Sequence, residues 1–600
     1  MVSIGAAISG LARRHGLWRL VFSGAGPPPR RPLPPRPLPP RPLPRRLDWR
    51  RWVDGWTLGT IAIAALVVLP VAAVVGLALG PSDDIWAHLS STVLPRYIGA
   101  TLQLMVGVGL GTLIVGVGTA WLVTMCRFPG RKLFEWALLL PMAVPAYVIA
   151  YVYTDILEYA GPVQALLRDA FGWSGKRDYW FPEIRSMGGA ISMMTLVLYP
   201  YVYLLSRAAF LEQSVCVLEA SRTLGRGPWQ SFFSVALPLA RPGIVIGVSL
   251  VLMETLNDFG TVDFFAVPTF TLGIFDVWMN MNNMAGAAQL AALLLFFVFA
   301  LVLAERFARR KQRFYHTTDK YKALPGHGLS RGTARLAFTA CLLPVLLGFL
   351  LPAATLAGYA VSYFDAAASK EVLGHALNTF MLSGTAAVLA VLVAIFMAYG
   401  VRLHGGGALQ ALARIVSMGY AVPGAVLGVG VIVVLAAFDN AIDAFLREYF
   451  GVSMGLLLSG SVVAVIFGYL VRFLALSFGT IEASLGKVTP NMEGAARSLG
   501  VGAAKTLLRV HVPLMRAGVL TAAMLVFVDC MKELPMTMIL RPFDFQTLAT
   551  FVHQYASDEQ LGEASLAALT IVATGVLPVM LLSMAIARSR PGHGLAGAAP

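Results

Sequence analysis

The sequence predicts an all-α polytopic membrane protein, with about twelve transmembrane helices in two parallel six-helix repeats related by a pseudo-twofold axis. Three observations lead there. Of the 600 residues, 57% are hydrophobic and 13% charged, and a mean hydropathy of +0.73 excludes an ordinary soluble fold. Apolar runs of bilayer length recur along the whole chain: a helix rises about 1.5 Å per residue and the hydrocarbon core is about 30 Å thick, so a span needs roughly 20 residues. Finally, one polar stretch occurs twice at a fixed offset.

The candidate spans lie near residues 56–80, 98–125, 133–156, 186–210, 241–259 and 286–305, then 335–360, 376–402, 409–437, 455–479, 516–534 and 562–587. If the chain starts in the cytoplasm, six spans return it to Arg306, Arg309, Arg310, Lys311 and Arg313. Six more end beside Arg588 and Arg590, so both termini are expected on the cytoplasmic side. The net charge of +15 sits in such short segments between spans, which suits membrane topology and argues against nucleic-acid binding. An even number of spans per half makes the repeats parallel, with the pseudo-twofold axis along the membrane normal and a cleft between the halves as the natural pathway.

The expected organisation follows from these spans. Residues 1–55 form a basic tail in which Arg-Pro-Leu-Pro-Pro recurs from Arg31 through Arg41, a composition for polyproline II or disorder. No secretory leader is expected, because the first apolar run begins near Trp56. Residues 56–305 make the first repeat, 306–334 a charged linker, 335–587 the second repeat and 588–600 a cytoplasmic tail. Cys126, Cys216, Cys341 and Cys530 lie far apart beside apolar residues, so they are expected to pack. No Cys-x-x-Cys or His-x-x-x-His spacing occurs, and no metal is assigned.

The repeated stretch is LEASRTLGRGPWQSFFSVALPLARPGI at 218–244 and EGAARSLGVGAAKTLLRVHVPLMRAGV at 493–519. A shift of 275 carries Ala220 to Ala495, Arg222 to Arg497, Leu224 to Leu499, Gly225 to Gly500, Pro238 to Pro513, Arg241 to Arg516 and Gly243 to Gly518. Both copies fall between the fourth and fifth spans of their halves, within cytoplasmic loops 212–243 and 487–518. Each reads as a helix, a glycine break and a second amphipathic helix that stops at Leu-Pro or Val-Pro. Glycine takes the left-handed backbone freely, and Pro238 and Pro513 lack the N–H that would continue a helix. Val144-Pro145 and Val422-Pro423 also correspond, 278 residues apart, each in the third span of its half.

These residues resemble the E-A-A loop of membrane subunits of ATP-binding-cassette importers, in which a glycine and then Leu-Pro follow. The first copy matches with Glu219-Ala220-Ser221 and Gly225, serine standing third; the second has Gly494 at the acidic position and Glu493 one place early. The stretches YAGPVQALLRDAFG, YWFPEIRSMGGAI, NDFGTVDFFAVPTFTLGIF and MKELPMTMILRPFDFQTLAT resemble the fused twelve-span permeases of ferric-iron importers. Permeases for thiamine, polyamines and phosphonates share much of that architecture. The resemblance implies a bacterial inner-membrane permease served by two copies of an ATPase subunit and a periplasmic substrate-binding protein. It implies coupling through Glu219, Ala220, Arg222, Leu224, Gly225 and Pro238, and through Glu493, Gly494, Ala495, Arg497, Leu499, Gly500 and Pro513. ATP would be used by the partners, and no cofactor by this chain. The phosphate-loop pattern is absent: Leu485-Gly486-Lys487-Val488 has Ile481 where the leading glycine belongs and no hydroxyl at Val488, so no enzymatic activity is expected.

Candidate pathway residues come from the fifth spans, where Glu254 and Asp258 in METLNDFG recur as Asp529 and Glu533 in VDCMKELP. A spacing of four places each pair on one helix face. Carboxylates at membrane depth cost several kcal/mol unless hydrated, paired or neutralised. They are therefore expected either to line the outer end of the pathway for a cationic substrate, or to cap helix ends and pair across the pseudo-twofold, with Lys532 available to one of them. A gradient-driven secondary transporter would use such acids as proton or sodium sites, but has no need of the duplicated glycine-broken loop. A non-transporting scaffold would explain the spans and leave the paired loops without a role.

Overall fold

The computed structural model describes residues 54–81, 86, 89–211, 213, 221, 223–225, 227–309, 327–404, 406–486 and 488–588. The proline-rich tail before Asp54, most of the linker, Cys216, Glu219, Ala220, Arg222 and the chain beyond Arg588 lie outside them.

Among the described residues, ten helices are long and apolar enough to cross a membrane, and two bent pairs bring the number to twelve. The first half supplies Gly55–Ala78, Leu89–Met125, the pair Arg131–Ala143 and Ala146–Phe171, Met187–Leu211, Trp229–Asn257 and Met284–Glu305. The second supplies Arg331–Ser362, Ser369–His404, Gly424–Phe450, Val462–Leu485, the pair Ala503–Leu514 and Arg516–Met531, and Leu561–Met580.

The third span is not the continuous helix expected over 133–156. A 3-10 turn at Leu140–Ala143 ends its first part, and the chain bends by 89° before resuming as Ala146–Leu157 behind Pro145. The second half does the same: Gly407–Val416, a 3-10 turn at Gly419–Ala421, then Gly424–Phe450 behind Pro423. The cause is local. A proline drives the residue before it out of the helical region, and Val144 and Val422 sit at ψ 122 and 124.

Pro238, by contrast, does not stop its helix as expected, whereas the helix of the second copy does end beside Pro513, at Leu514. A π-helical turn precedes each proline, at Phe232–Ala236 and Leu507–His511, and only in the first copy does the helix run on, to Asn257. Trp229–Asn257 crosses Pro238 as one helix, and the second copy bends, by 79°, only after Leu514. The wider π turn relieves the clash between the pyrrolidine ring and the carbonyl one turn back. The same device precedes Pro95, at Leu89–Val93, and Pro352, at Leu346–Leu350.

Two apolar clusters hold the bundle, and each mixes the halves. One joins Leu104 through Val267 to Ala337, Cys341, Val345 and Leu548 through Val579; the other joins Ala64, Val67, Val74 and Leu290 through Val298 to Leu382 through Leu540. Each half thus lends its first and sixth spans to the other. Trp56 stacks on Phe396 at 4.7 Å, and the Tyr153 hydroxyl donates to the Leu347 carbonyl at 2.8 Å. In lipid such close packing and hydrogen bonding replace the hydrophobic drive that would act in water. Thr112, Thr119 and Thr124 satisfy their hydroxyls by donating to the carbonyl four residues back, at 2.7–2.8 Å.

One departure from an all-α fold is a two-residue parallel pairing of Cys126–Arg127 with His327–Gly328, which ties the linker's end to the second span. Cys126, Cys341 and Cys530 are buried free thiols.

Candidate functional site

The fifth spans and the breaks in the third spans converge between the halves, where a cavity of about 100 Å³ opens. Its walls include Pro145, Tyr147, Tyr201, Glu254, Asn257 and Asp258 from the first half, and Tyr420, Arg472, Asp529, Lys532 and Glu533 from the second. All four predicted acids therefore meet at one place.

They do not sit in pairs on a helix face, which corrects the spacing argument. The fifth helices end at Asn257 and Met531, so Asp258 and Glu533 lie beyond them and open the next short helices. Asp258 accepts from the backbone N–H of Thr261 at 3.0 Å and of Val262 at 3.2 Å, and from the Thr261 hydroxyl at 3.0 Å. Glu533 accepts from the N–H of Met536 and Thr537, both at 3.0 Å, and from the Thr537 hydroxyl at 2.7 Å. The first N–H groups of a helix have no intrahelical acceptor, and a carboxylate satisfies them while matching the helix dipole.

The other contacts cross the halves or neutralise charge. The Tyr420 hydroxyl donates to Glu254 Oε1 at 2.8 Å, and the Gly424 N–H donates to Asn257 Oδ1 at 2.6 Å, capping the second half's third-span helix with a first-half side chain. Lys532 Nζ lies 2.9 Å from Asp529, and Arg472 Nη1 lies 2.9 Å from Glu533 in a pair 4% and 2% exposed. A Cβ on Gly424 would come within 2.7 Å of both members of that second pair, so glycine there makes room for it.

Symmetry fails at the charges. At the 275-residue offset the counterpart of Arg472 is Val197 and that of Lys532 is Asn257, so both ion pairs belong to the second half. Arg472 is the site residue that the sequence reading missed. Its signal was one arginine within VVAVIFGYLVRFLALSFG, an intramembrane charge that requires a partner.

In the duplicated loops, Gly225 and Gly500 both take the left-handed backbone, at φ 77 and 74. The leucines before them, Leu224 and Leu499, are 78% and 80% exposed, and Pro238 and Pro513 are also exposed. Helix Pro490–Ser498 exposes Gly494, Ala495 and Arg497. Glu493 instead turns inward, its carboxylate 2.8 Å from Arg402 Nε and 3.3 Å from His511 Nε2. Arg402 also donates to the carbonyls of Leu485 and Val488, so this cluster fastens the loop helix to the end of the second span. In the first copy an aromatic seat serves, with Trp121 4.7 Å from Phe232 and 5.6 Å from Phe210.

No group of three or more His, Cys, Asp or Glu side chains is placed to hold a metal among the described residues. What the fold and site define is a two-repeat helical membrane protein with a polar cavity between its halves and a glycine-broken loop on each repeat.

Comparison with known proteins places that class. Residues 112–313 match the family described as binding-protein-dependent transport system inner membrane component. The Fe(3+)-transport system permease protein FbpB 2 of Haemophilus influenzae is 27% identical over 496 residues, 82% of this chain and 90% of that protein. The molybdenum transport system permease protein ModB of Escherichia coli is 30% identical over 207 residues, 33% of this chain and 87% of that protein. A chain in the crystal structure of a bacterial alginate ABC transporter, in complex with an alginate pentasaccharide-bound periplasmic protein, overlaps 44% of this chain and 97% of its own length, with a TM-score of 0.37 and 16% identity. The chain belongs to the family of binding-protein-dependent transport system inner membrane components. It is a multi-pass transport permease of the inner membrane.

Proposed function

We propose that this chain is the permease of an ATP-binding-cassette importer that moves ferric iron from a periplasmic binding protein to the cytoplasm, driven by two ATPase subunits docked on the duplicated loops. The observation that carries the choice of cargo is the charge of the cavity. It holds four carboxylates against two cations, and both cations are already paired at 2.9 Å. Glu254 and Asp258 have no cationic partner within ion-pair distance among the described residues. A surplus of negative charge in a low-dielectric passage attracts a cation and repels an oxyanion. This favours the kind of cargo named for the ferric relatives over that of an oxyanion permease.

The exposed Leu224 and Leu499 support the docking assignment, because both copies present the same apolar side chain at the same left-handed glycine corner. Movement of helix Pro490–Ser498 with a docked ATPase would pull directly on the second span through Glu493 and Arg402. Both termini and both loops lie on the cytoplasmic side in this reading.

Glu254→Gln combined with Asp529→Asn is expected to slow ferric uptake by about 5- to 150-fold, equivalent to about 1 to 3 kcal/mol of lost cation stabilisation. The assay is uptake of radioactive iron into proteoliposomes holding permease, ATPase and binding protein, with a polyamine as the competing cationic cargo. An unchanged rate in a variant as stable as the parent would remove the acidic pathway and leave selectivity with the binding protein. Glu219→Ala is expected to reduce substrate-stimulated ATP hydrolysis more than Glu493→Ala, since Glu493 is already held by Arg402 and His511. Glu493→Ala should instead lower thermal stability, by about 1 to 3 kcal/mol. Equal losses of coupling at matched stability would contradict the assignment.

A further inference from the structure

Two seams in the cavity wall correspond under the internal repeat, and in each the end of one half's fifth span meets the third-span break of the other half. At the first seam Glu254 and Asn257 meet Tyr420 and Gly424. At the second, Asp529 and Lys532 stand at the counterparts of Glu254 and Asn257, and Met142 and Ala146 at those of Tyr420 and Gly424. Tyr147 and Leu534 mark this second seam, since both flank Gly260, where an added Cβ would lie 2.7 Å from each.

The first seam is bolted. The Tyr420 hydroxyl donates to Glu254 Oε1 at 2.8 Å and the Gly424 N–H to Asn257 Oδ1 at 2.6 Å, so two hydrogen bonds cross it. At the second seam the residue types forbid both bonds. The Lys532 ammonium is a donor only and cannot accept from the Ala146 N–H, and the Met142 thioether has no hydrogen to give to Asp529. Lys532 Nζ lies instead 2.9 Å from Asp529 on its own half, and among the described residues no hydrogen bond or ion pair joins either of them to Met142 or Ala146. The cavity follows the difference: Val144, Pro145 and Ala146 of the first half's break line it, whereas Val422, Pro423 and Gly424 of the second do not. The frame around it keeps the repeat's symmetry. Thr101 and Thr379 each accept a backbone N–H from the connector after a fifth span, from Phe270 at 3.4 Å and Leu548 at 2.8 Å, and both donors and both acceptors are 278 residues apart.

Resting on the reading of this chain as the permease of an ATP-driven importer, we propose that Asn257 is a positioning residue that keeps the first seam shut through the transport cycle, so that the pathway opens along the second seam alone. Parting the first seam would leave a donor and an acceptor bare in a site poor in water, whereas the second parts without breaking a hydrogen bond. The cargo then passes against Asp529 and Lys532, while Glu254, with one oxygen held by Tyr420, acts on it through charge.

The test compares the corresponding residues Val144 and Val422, which are 1% and 5% exposed. Each is replaced by cysteine in the full-length chain with Cys126, Cys216, Cys341 and Cys530 changed to alanine, reconstituted in proteoliposomes with ATPase and binding protein. Labelling by a methanethiosulfonate ethylammonium reagent is read with and without ATP. Val144→Cys should label during turnover and Val422→Cys should not. Asn257→Ala should raise labelling of Val422→Cys by about fivefold, the population shift expected from one lost buried hydrogen bond. Asn257→Asp, whose carboxylate still accepts from Gly424, should restore protection. Tyr420→Phe keeps the ring, removes the other bolt and should act as Asn257→Ala does, which covers the case in which Asn257→Ala does not fold. Equal labelling of the two sites in the parent overturns the proposal, and so does a rise in Asn257→Ala that is the same at both sites, as general loosening would give. Labelling that follows ATP at both seams removes the one-seam opening and leaves the importer reading, whereas labelling that ignores ATP at both sites removes the importer reading and the opening with it.

Discussion

Glu533→Ala is expected to lower stability by about 3 to 5 kcal/mol, the largest loss of any single substitution in the cavity wall. The Glu533 carboxylate neutralises Arg472 at 2.9 Å in a pair 4% and 2% exposed, and it also caps the helix that begins at Pro535. Its removal leaves a buried guanidinium without a counter-charge and two helix N–H groups without an acceptor. Arg472→Met should cost less, because the carboxylate left behind keeps its N–H and hydroxyl donors. Arg472→Met with Glu533→Gln should recover much of the loss, since a neutral pair needs no solvation and glutamine still offers an oxygen to the helix end. Melting temperature and monodisperse yield in detergent report the order. A Glu533→Ala protein that melts with the parent would show that the pair contributes nothing.

The second large effect belongs to the loops. Gly225→Pro with Gly500→Pro is expected to abolish transport while the protein still inserts in the membrane. Proline holds φ near about −65°, whereas these glycines sit at 77 and 74, so the docking corner cannot form. Crowding is not the reason, because no atom lies within 4 Å of a Cβ built on either glycine. Alanine should therefore cost only the left-handed strain, about 1 to 2 kcal/mol, and asparagine less. ATPase co-purification and substrate-stimulated ATP hydrolysis are the readouts. If the double proline variant retains both, the loops are not the docking elements.

Much of this architecture was legible along the chain because its causes are local. Hydropathy over roughly 20 residues marks a span, and each of the twelve candidate spans overlaps a helix of the structure. The left-handed corners at Gly225 and Gly500 were readable because so few residues accept that backbone, and the matched Val-Pro pairs because proline constrains its predecessor. The same proline logic misled at Pro238, where the chain widens into a π turn upstream that accommodates the ring and the helix continues to Asn257, while beside Pro513 the helix does end, at Leu514.

The site was legible as an inventory and not as an arrangement. Glu254, Asp258, Asp529 and Glu533, picked out by their common offset, line one cavity. Their division of labour was hidden, because it depends on where each fifth helix ends and on what the opposite half presents. Asp258 and Glu533 became caps once the helices stopped at Asn257 and Met531, while Glu254 met Tyr420 from a span 166 residues away. Glu493 read as a displaced docking acid, and turned inward because Arg402 and His511 lie beneath it.

By itself, then, the sequence determined the number and order of the spans, the duplication, the positions of the glycine corners and the presence of acids that a bilayer would not tolerate unpaired. These follow from solvation and backbone sterics acting over a few turns. Only the tertiary structure decided that the halves exchange their first and sixth spans, that Arg472 and Lys532 neutralise two of the four acids, and that Tyr420 reaches Glu254 across the cavity. Those outcomes depend on pairings between residues far apart in the chain, and a charge or a hydroxyl carries no local mark of the partner that folding will bring to it.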